Sequence, residues 1–150
     1  MPSDKAVVHV IDDDEAMRES LAFLLSAVGL EVRTYESALA FLEVAPNAEA
    51  GCVITDVRMP GLSGVDLLRR LRELKLGIPV IVITGHGDVP LAVEAMKIGA
   101  LDFLEKPFDD EVLLASVRSA LNQLNQDQRR QAERNEIERR LAALSNRERD

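Results

Sequence analysis

Three runs, VVHVI (7–11), CVIT (52–55) and VIVIT (80–84), are apolar at almost every position. A strand with one wet face alternates polar and apolar residues, so a run without alternation is buried on both faces. Two further runs, EVRTY (31–35) and LDFLE (101–105), do alternate, as edge strands can. Stretches of helical period lie between the five. Met17, Leu21, Leu24, Leu25 and Val28 precede Gly29, and SALAFLEVA (37–45) makes a short helix. Val65, Leu68 and Leu71 follow the turn residues of VRMPGLSG, and Val89 to Ile98 lead to Gly99. A last helix starts near Phe108. Five βα units whose central strands are covered on both faces predict an α/β fold. Its expected form is a doubly wound parallel sheet of order 2-1-3-4-5 with right-handed crossovers and a C-terminal helical extension.

In such a sheet the ligand crevice lies beyond the carboxyl ends of the strands, at the switch point between the first and third. Asp12, Asp13 and Asp14 follow the first strand, Asp56 the third, Thr84 the fourth and Lys106 the fifth. Converging carboxylates call for a hard dication, and magnesium is held by one or two carboxylates, waters and substrate oxygens. A lysine and a hydroxyl beside such a centre suit a phosphoryl group, whose charge spreads over its equatorial oxygens. A carboxylate already in the cleft can be the nucleophile. Asp56, alone at the end of a central strand and before a Pro-Gly turn, is the best candidate. Asp14 and Glu15 read as acids starting a helix. His9, inside a strand, reads as a structural histidine, and His86 of the GHGD loop as a residue able to gate the cleft.

These residues, DD (12–13), D (56) followed by VRMPG, T (84) and KP (106–107), resemble the receiver domain of two-component response regulators over about residues 5–124, a flavodoxin-like fold. TGHGDVPLAVEAMKIGALDFLEKPF resembles the FixJ subgroup of the FixJ/NarL class. The resemblance implies that Asp56 accepts a phosphoryl group from a histidine kinase. It implies direct magnesium contacts from Asp13, Asp56 and the Arg58 backbone carbonyl, with Asp12 acting through a metal-bound water. Lys106 would contact the phosphoryl group, Thr84 would move toward it, and Phe103 matches the family's switch aromatic. The 89–98 helix and the fifth strand would form a dimerisation surface. The Lys106-Pro107 bond is cis in many relatives. Such a protein is no enzyme beyond its own phosphorylation and dephosphorylation. Two alternatives stand beside it: a magnesium phosphatase of haloacid-dehalogenase type using Asp12, and a receiver-like scaffold that works without phosphorylation.

Composition narrows the classes. Residues 1–124 hold 11 Lys/Arg against 20 Asp/Glu, net −9, a poor nucleic-acid surface. Aromatic residues are only 3%, with no Trp, so stacking platforms for bases are not expected. Cys52 is the single cysteine, which excludes an intrachain disulfide. No leader or apolar stretch of membrane length stands out, so a cytoplasmic protein with no membrane role is expected. Residues 125–136 are almost devoid of apolar side chains, after which Ile137, Leu141 and Leu144 resume a stripe. LAALSNRERD resembles the entrance to a LuxR-type helix-turn-helix domain, with Asn146 where Pro is usual. The expected organisation is a receiver at 1–124, a helical interdomain linker at 125–143, and the start of a truncated DNA-binding output domain at 144–150.

Overall fold

All five runs are strands, and the computed structural model describes residues 6–85 and 87–149, with side chains as far as Leu144 except Gln128. In chain order the elements are β1 (Val7–Ile11), α1 (Glu15–Ala27), β2 (Glu31–Tyr35), α2 (Ala38–Val44), a 3₁₀ turn (Ala45–Asn47), β3 (Gly51–Asp56), α3 (Gly64–Glu73), β4 (Val80–Thr84), α4 (Val89–Ile98), β5 (Asp102–Glu105) and α5 (Asp110–Arg149). The sheet is parallel with order β2-β1-β3-β4-β5. Every residue of β1 and β4 is buried, whereas the edge strands β2 and β5 are largely half-exposed.

Side-chain alternation divides the core in two. Ile11, Val53, Val80 and Val82 pack with Phe41 of α2, Val65, Leu68 and Leu71 of α3 and Ala95 of α4. Val10, Ile54, Ile81 and Ile83 pack with Leu21 and Leu25 of α1 and Leu113 and Val117 of α5. The central strands therefore read as unbroken apolar runs because each face serves a different helix layer. Cys52 is fully buried, and burial pushes its thiol up to about 12, the behaviour of a small hydrophobe.

Local chemistry sets the element ends. Asp14 caps α1, Ser37 caps α2, and Ser63 with Asp66 forms a capping box on α3. β3 begins at Gly51, one residue before the apolar run, at a position where only glycine fits, since a Cβ there would lie 1.6 Å from the Val7 carbonyl oxygen. α5 begins at Asp110, two residues after Phe108, following a cis Lys106–Pro107 peptide. It is one helix through residues 125–143, so position 124 marks a change of burial and not a break in structure. Each described side chain from Asn125 to Leu144 is exposed.

His9 is buried and fully partnered. Its Nε2 lies 2.9 Å from the Glu49 carbonyl, which can only accept, so Nε2 carries the proton. Nδ1 then accepts from the Tyr35 hydroxyl at 3.0 Å, and the ring packs on Phe41. Burial lowers its pKa below the usual 6.5, against the raising pull of Glu49. The unfolded chain therefore takes up this proton first as pH falls, and stability drops from pH 6.5 downward toward the lowered folded value. Urea midpoints measured at closely spaced pH values should show this loss in the wild type. His9→Gln should be less stable throughout, yet lack that component of the pH dependence.

Candidate functional site

Strand register brings the acids level. β1 and β3 pair from Val7↔Gly51 to Ile11↔Thr55, so the next residues, Asp12 and Asp56, stand side by side at the sheet's carboxyl edge. Asp56 pairs with Ile83 and shares the face of Ile54, toward α1 and α5. Its two oxygens are both engaged: Oδ1 accepts the Arg58 backbone N–H at 3.0 Å, and Oδ2 accepts from Lys106 Nζ at 3.0 Å. The loop after Asp56 turns back tightly, with the Gly64 N–H donating to the Val57 carbonyl. A Cβ on Gly64 would sit 2.4 Å from the Asp56 carbonyl oxygen, so only glycine allows this closure.

Asp12 is buried, and its Oδ1 accepts the Asp14 N–H at 2.9 Å. Arg18 donates to the Asp12 carbonyl. Desolvation raises the Asp12 pKa most, and the charges of Asp56 and Asp13 add to it, while the Asp14 amide and Lys106 oppose them. For Lys106, burial pulls the pKa down, but the hydrogen bond and charge of Asp56, with Asp12 and Asp14, outweigh it and leave the value raised. Lys106 is thus held as an ammonium by a surplus of negative charge. Asp13 is exposed at the mouth of the same cluster.

The candidate residues do not all converge. Thr84 pairs with Glu105 and shares the opposite face of the sheet from Asp56. It is fully buried, and its hydroxyl donates to the Leu104 carbonyl at 3.4 Å. Phe103, paired with Val82, lies half-buried on that same face. Asp12, Asp56 and Lys106 therefore form one group, and Thr84 with Phe103 a second behind it. Asp14 caps α1, its Oδ1 accepting from Ala16 and Met17, which is the helix-starting role expected of it. His86 lies outside the described residues.

Sequence reasoning missed Asp88. It is buried at the start of α4, and Arg58 Nε donates to its Oδ1 at 2.6 Å. The only sequence signal was an acid at a helix N-cap position, which ordinarily means a cap and nothing more.

Among the described residues no three His, Cys, Asp or Glu side chains are already gathered as a metal cage. The oxygen donors nevertheless suit magnesium, which keeps most of its waters and needs only one or two carboxylates. Burial first, and then the charges of Asp56 and Asp13, hold the Asp12 pKa up, and a cation beside its carboxylate would favour the charged form. A group with a raised folded pKa lowers stability as pH rises through that pKa. Asp12→Asn, which keeps the acceptor for the Asp14 amide, should raise the thermal midpoint by about 2–4 °C at pH 7 without magnesium. Calorimetry should show the gain vanish below pH 3.8, where the carboxyl is protonated in both states.

Residues 8–118 match the family described as the response regulator receiver domain. The chain is 56% identical over 142 residues to the transcriptional regulatory protein FixJ of Azorhizobium caulinodans, covering 95% of this chain and 67% of that protein. FixJ of Bradyrhizobium diazoefficiens is 51% identical over 145 residues, covering 97% and 71%. The chain thus spans about two thirds of the length of these relatives. Among solved structures, the crystal structure of FixJ-N superposes with a TM-score of 0.76 at 55% identity, covering 78% of this chain and 94% of that one. Full-length FixJ from B. japonicum gives 0.80 at 50% identity, covering 93% and 68%. On this similarity the chain belongs to the response-regulator receiver family, in its FixJ subgroup.

Proposed function

We propose that this chain is the phospho-acceptor module of a two-component response regulator that controls transcription, with Asp56 taking a phosphoryl group from a sensor histidine kinase. The observation that carries the reading is Lys106 Nζ at 3.0 Å from Asp56 Oδ2, with the Asp12 carboxylate beside them. In the transfer, an Asp56 oxygen bonds to phosphorus, the P–N bond of the phosphohistidine breaks, and its electron pair leaves with the imidazole. Lys106 exchanges Oδ2 for a phosphoryl oxygen and neutralises charge there. Asp13, Asp56 and the Arg58 carbonyl would hold magnesium, with Asp12 one water removed. When bound, the ion supplies positive charge to the carboxylates and the phosphoryl oxygens. The chain performs no other turnover.

Switching follows from the second group. The Thr84 hydroxyl leaves the Leu104 carbonyl for a phosphoryl oxygen, and Phe103 repacks on the face that Thr84 vacates. This is a shift between two populations, biased by the phosphoryl group. α4 carries exposed Val89, Val93 and Met96 at helical spacing, an apolar stripe suited to homodimerisation with β5. Residues 125–143 act as an interdomain linker, and 144–150 begin a LuxR-type output domain through which alone DNA would be bound. No helix among the described residues is long and apolar enough to cross a membrane; a cytoplasmic place without membrane contact is part of the same proposal.

Acetyl phosphate with magnesium should add one phosphoryl group to the wild type by mass, and Asp56→Asn should abolish it. Undiminished labelling of that variant would sink the assignment. Light scattering should show a dimer forming on labelling.

A further inference from the structure

α4 is tied to its neighbours by arginines as well as by apolar packing, in which Leu91 and Ile98 lie partly buried against the core. Its buried residues are two alanines, Ala92 and Ala95. Arg69 of α3 pairs with Glu94, and Arg72 Nη2 donates to the Gly99 carbonyl at 2.9 Å, at the middle and end of the helix. The third arginine, Arg58, belongs to the loop after Asp56 and reaches Asp88 at the start of the helix.

That last link joins the acceptor to α4 within one residue. The Arg58 backbone N–H is bonded to Asp56 Oδ1, and its side chain to Asp88 Oδ1. The two partners differ in setting: the Arg58 side chain is 70% exposed and that of Asp88 only 10%. Asp88 occupies the N-cap position of α4, yet its carboxylate caps no amide, and Pro90 in the first turn removes one of the usual targets. The Asp88 carboxylate is therefore committed to Arg58. The Leu91 and Ala92 amides are served instead by the Asp88 backbone carbonyl, at 3.0 and 3.1 Å. The position of the first turn of α4 thus depends on where Arg58 holds Asp88.

We propose that Arg58 and Asp88 form a latch that fixes the first turn of α4 to the acceptor loop, and that a phosphoryl group on Asp56 opens it by competing with Asp88 for the guanidinium. The competition rests on the reading of Asp56 as acceptor. Arginine binds phosphoryl oxygens in the same forked manner as carboxylates, and a phosphoryl group brings more negative charge than Asp88 carries. The latch is a route to α4 separate from Thr84 and Phe103, since it runs along the loop surface and not through the buried face of β4 and β5. The element thus has two arrangements, one with the Asp88 side chain tied to the acceptor loop and one with it released.

The test is amide hydrogen exchange at Leu91 and Ala92 in the full chain. In unphosphorylated protein, Asp88→Asn and Arg58→Ala should each speed exchange about tenfold, the scale of losing one charge-assisted hydrogen bond. Asn keeps a capping oxygen, so the effect belongs to the ion pair. The double variant should be no faster than either single one, and the exchange Arg58→Asp with Asp88→Arg should restore much of the protection. Acetyl phosphate with magnesium should speed exchange in the wild type by more than in Asp88→Asn, where only the Thr84 and Phe103 route is left. Unchanged exchange in both single variants, or strictly additive effects, would overturn the latch. Labelled wild type with unaltered α4 exchange would overturn its opening while leaving Asp56 as acceptor. No labelling at all would remove the acceptor and the opening together, and the variants would still decide whether the pair holds α4.

Discussion

The register of β1 on β3 holds two carboxylates, Asp12 and Asp56, side by side at the carboxyl edge of the sheet, and the candidate site is built on that placement. Asp12 and Asp56 stand level because β1 and β3 pair in register up to Ile11 and Thr55. Burial deprives Asp12 of the water that would screen it, and one lysine answers the pair. The protein accepts a destabilising feature there, and such features belong to functional sites. The rest of the domain supplies rigidity around it: two aliphatic cores, one on each face of the sheet, hold the strands so that the charges cannot drift apart.

The sheet also separates chemistry from response. Side chains alternate along a strand, so Asp56 and Thr84, on neighbouring strands, look to opposite helix layers. The charged cluster faces α1 and α5; the Thr84 and Phe103 pair faces the layer containing α4. A signal generated on one side must cross the sheet's edge to reach α4. In the proposed switch, the buried Thr84 hydroxyl and the Arg58 side chain would be two physically distinct means of crossing. α4 is joined to the core on that face by Ala95, Leu91 and Ile98 and to the chain around it by three arginine links, at its start, middle and end.

Much of this was legible in residue order. Unbroken apolar runs identified β1, β3 and β4 as central, and alternating runs identified β2 and β5 as edges, because burial on one face or two leaves a direct trace in polarity. The acids, Thr84 and Lys106 were legible as strand-end residues. Their faces were not: that Thr84 points away from Asp56 depends on pairing register, which a single strand's sequence does not encode. Asp88 was illegible for a related reason. Its partner is thirty residues earlier, on a loop whose path is set by the close approach of Gly64 to the Asp56 carbonyl. The unbroken course of α5 was open too, since a polar stretch without Gly or Pro suits both a helix and a linker.

Thermal unfolding across a magnesium titration tests most directly the proposal that these carboxylates form a cation-dependent acceptor site. A site that binds magnesium only when folded gains stability with concentration, ~2.7 kcal/mol at a hundredfold excess over Kd. The account predicts a rising midpoint for the wild type and a flat response for Asp13→Ala and Asp56→Asn. A wild-type midpoint indifferent to magnesium, or an equal rise in all three proteins, would contradict it.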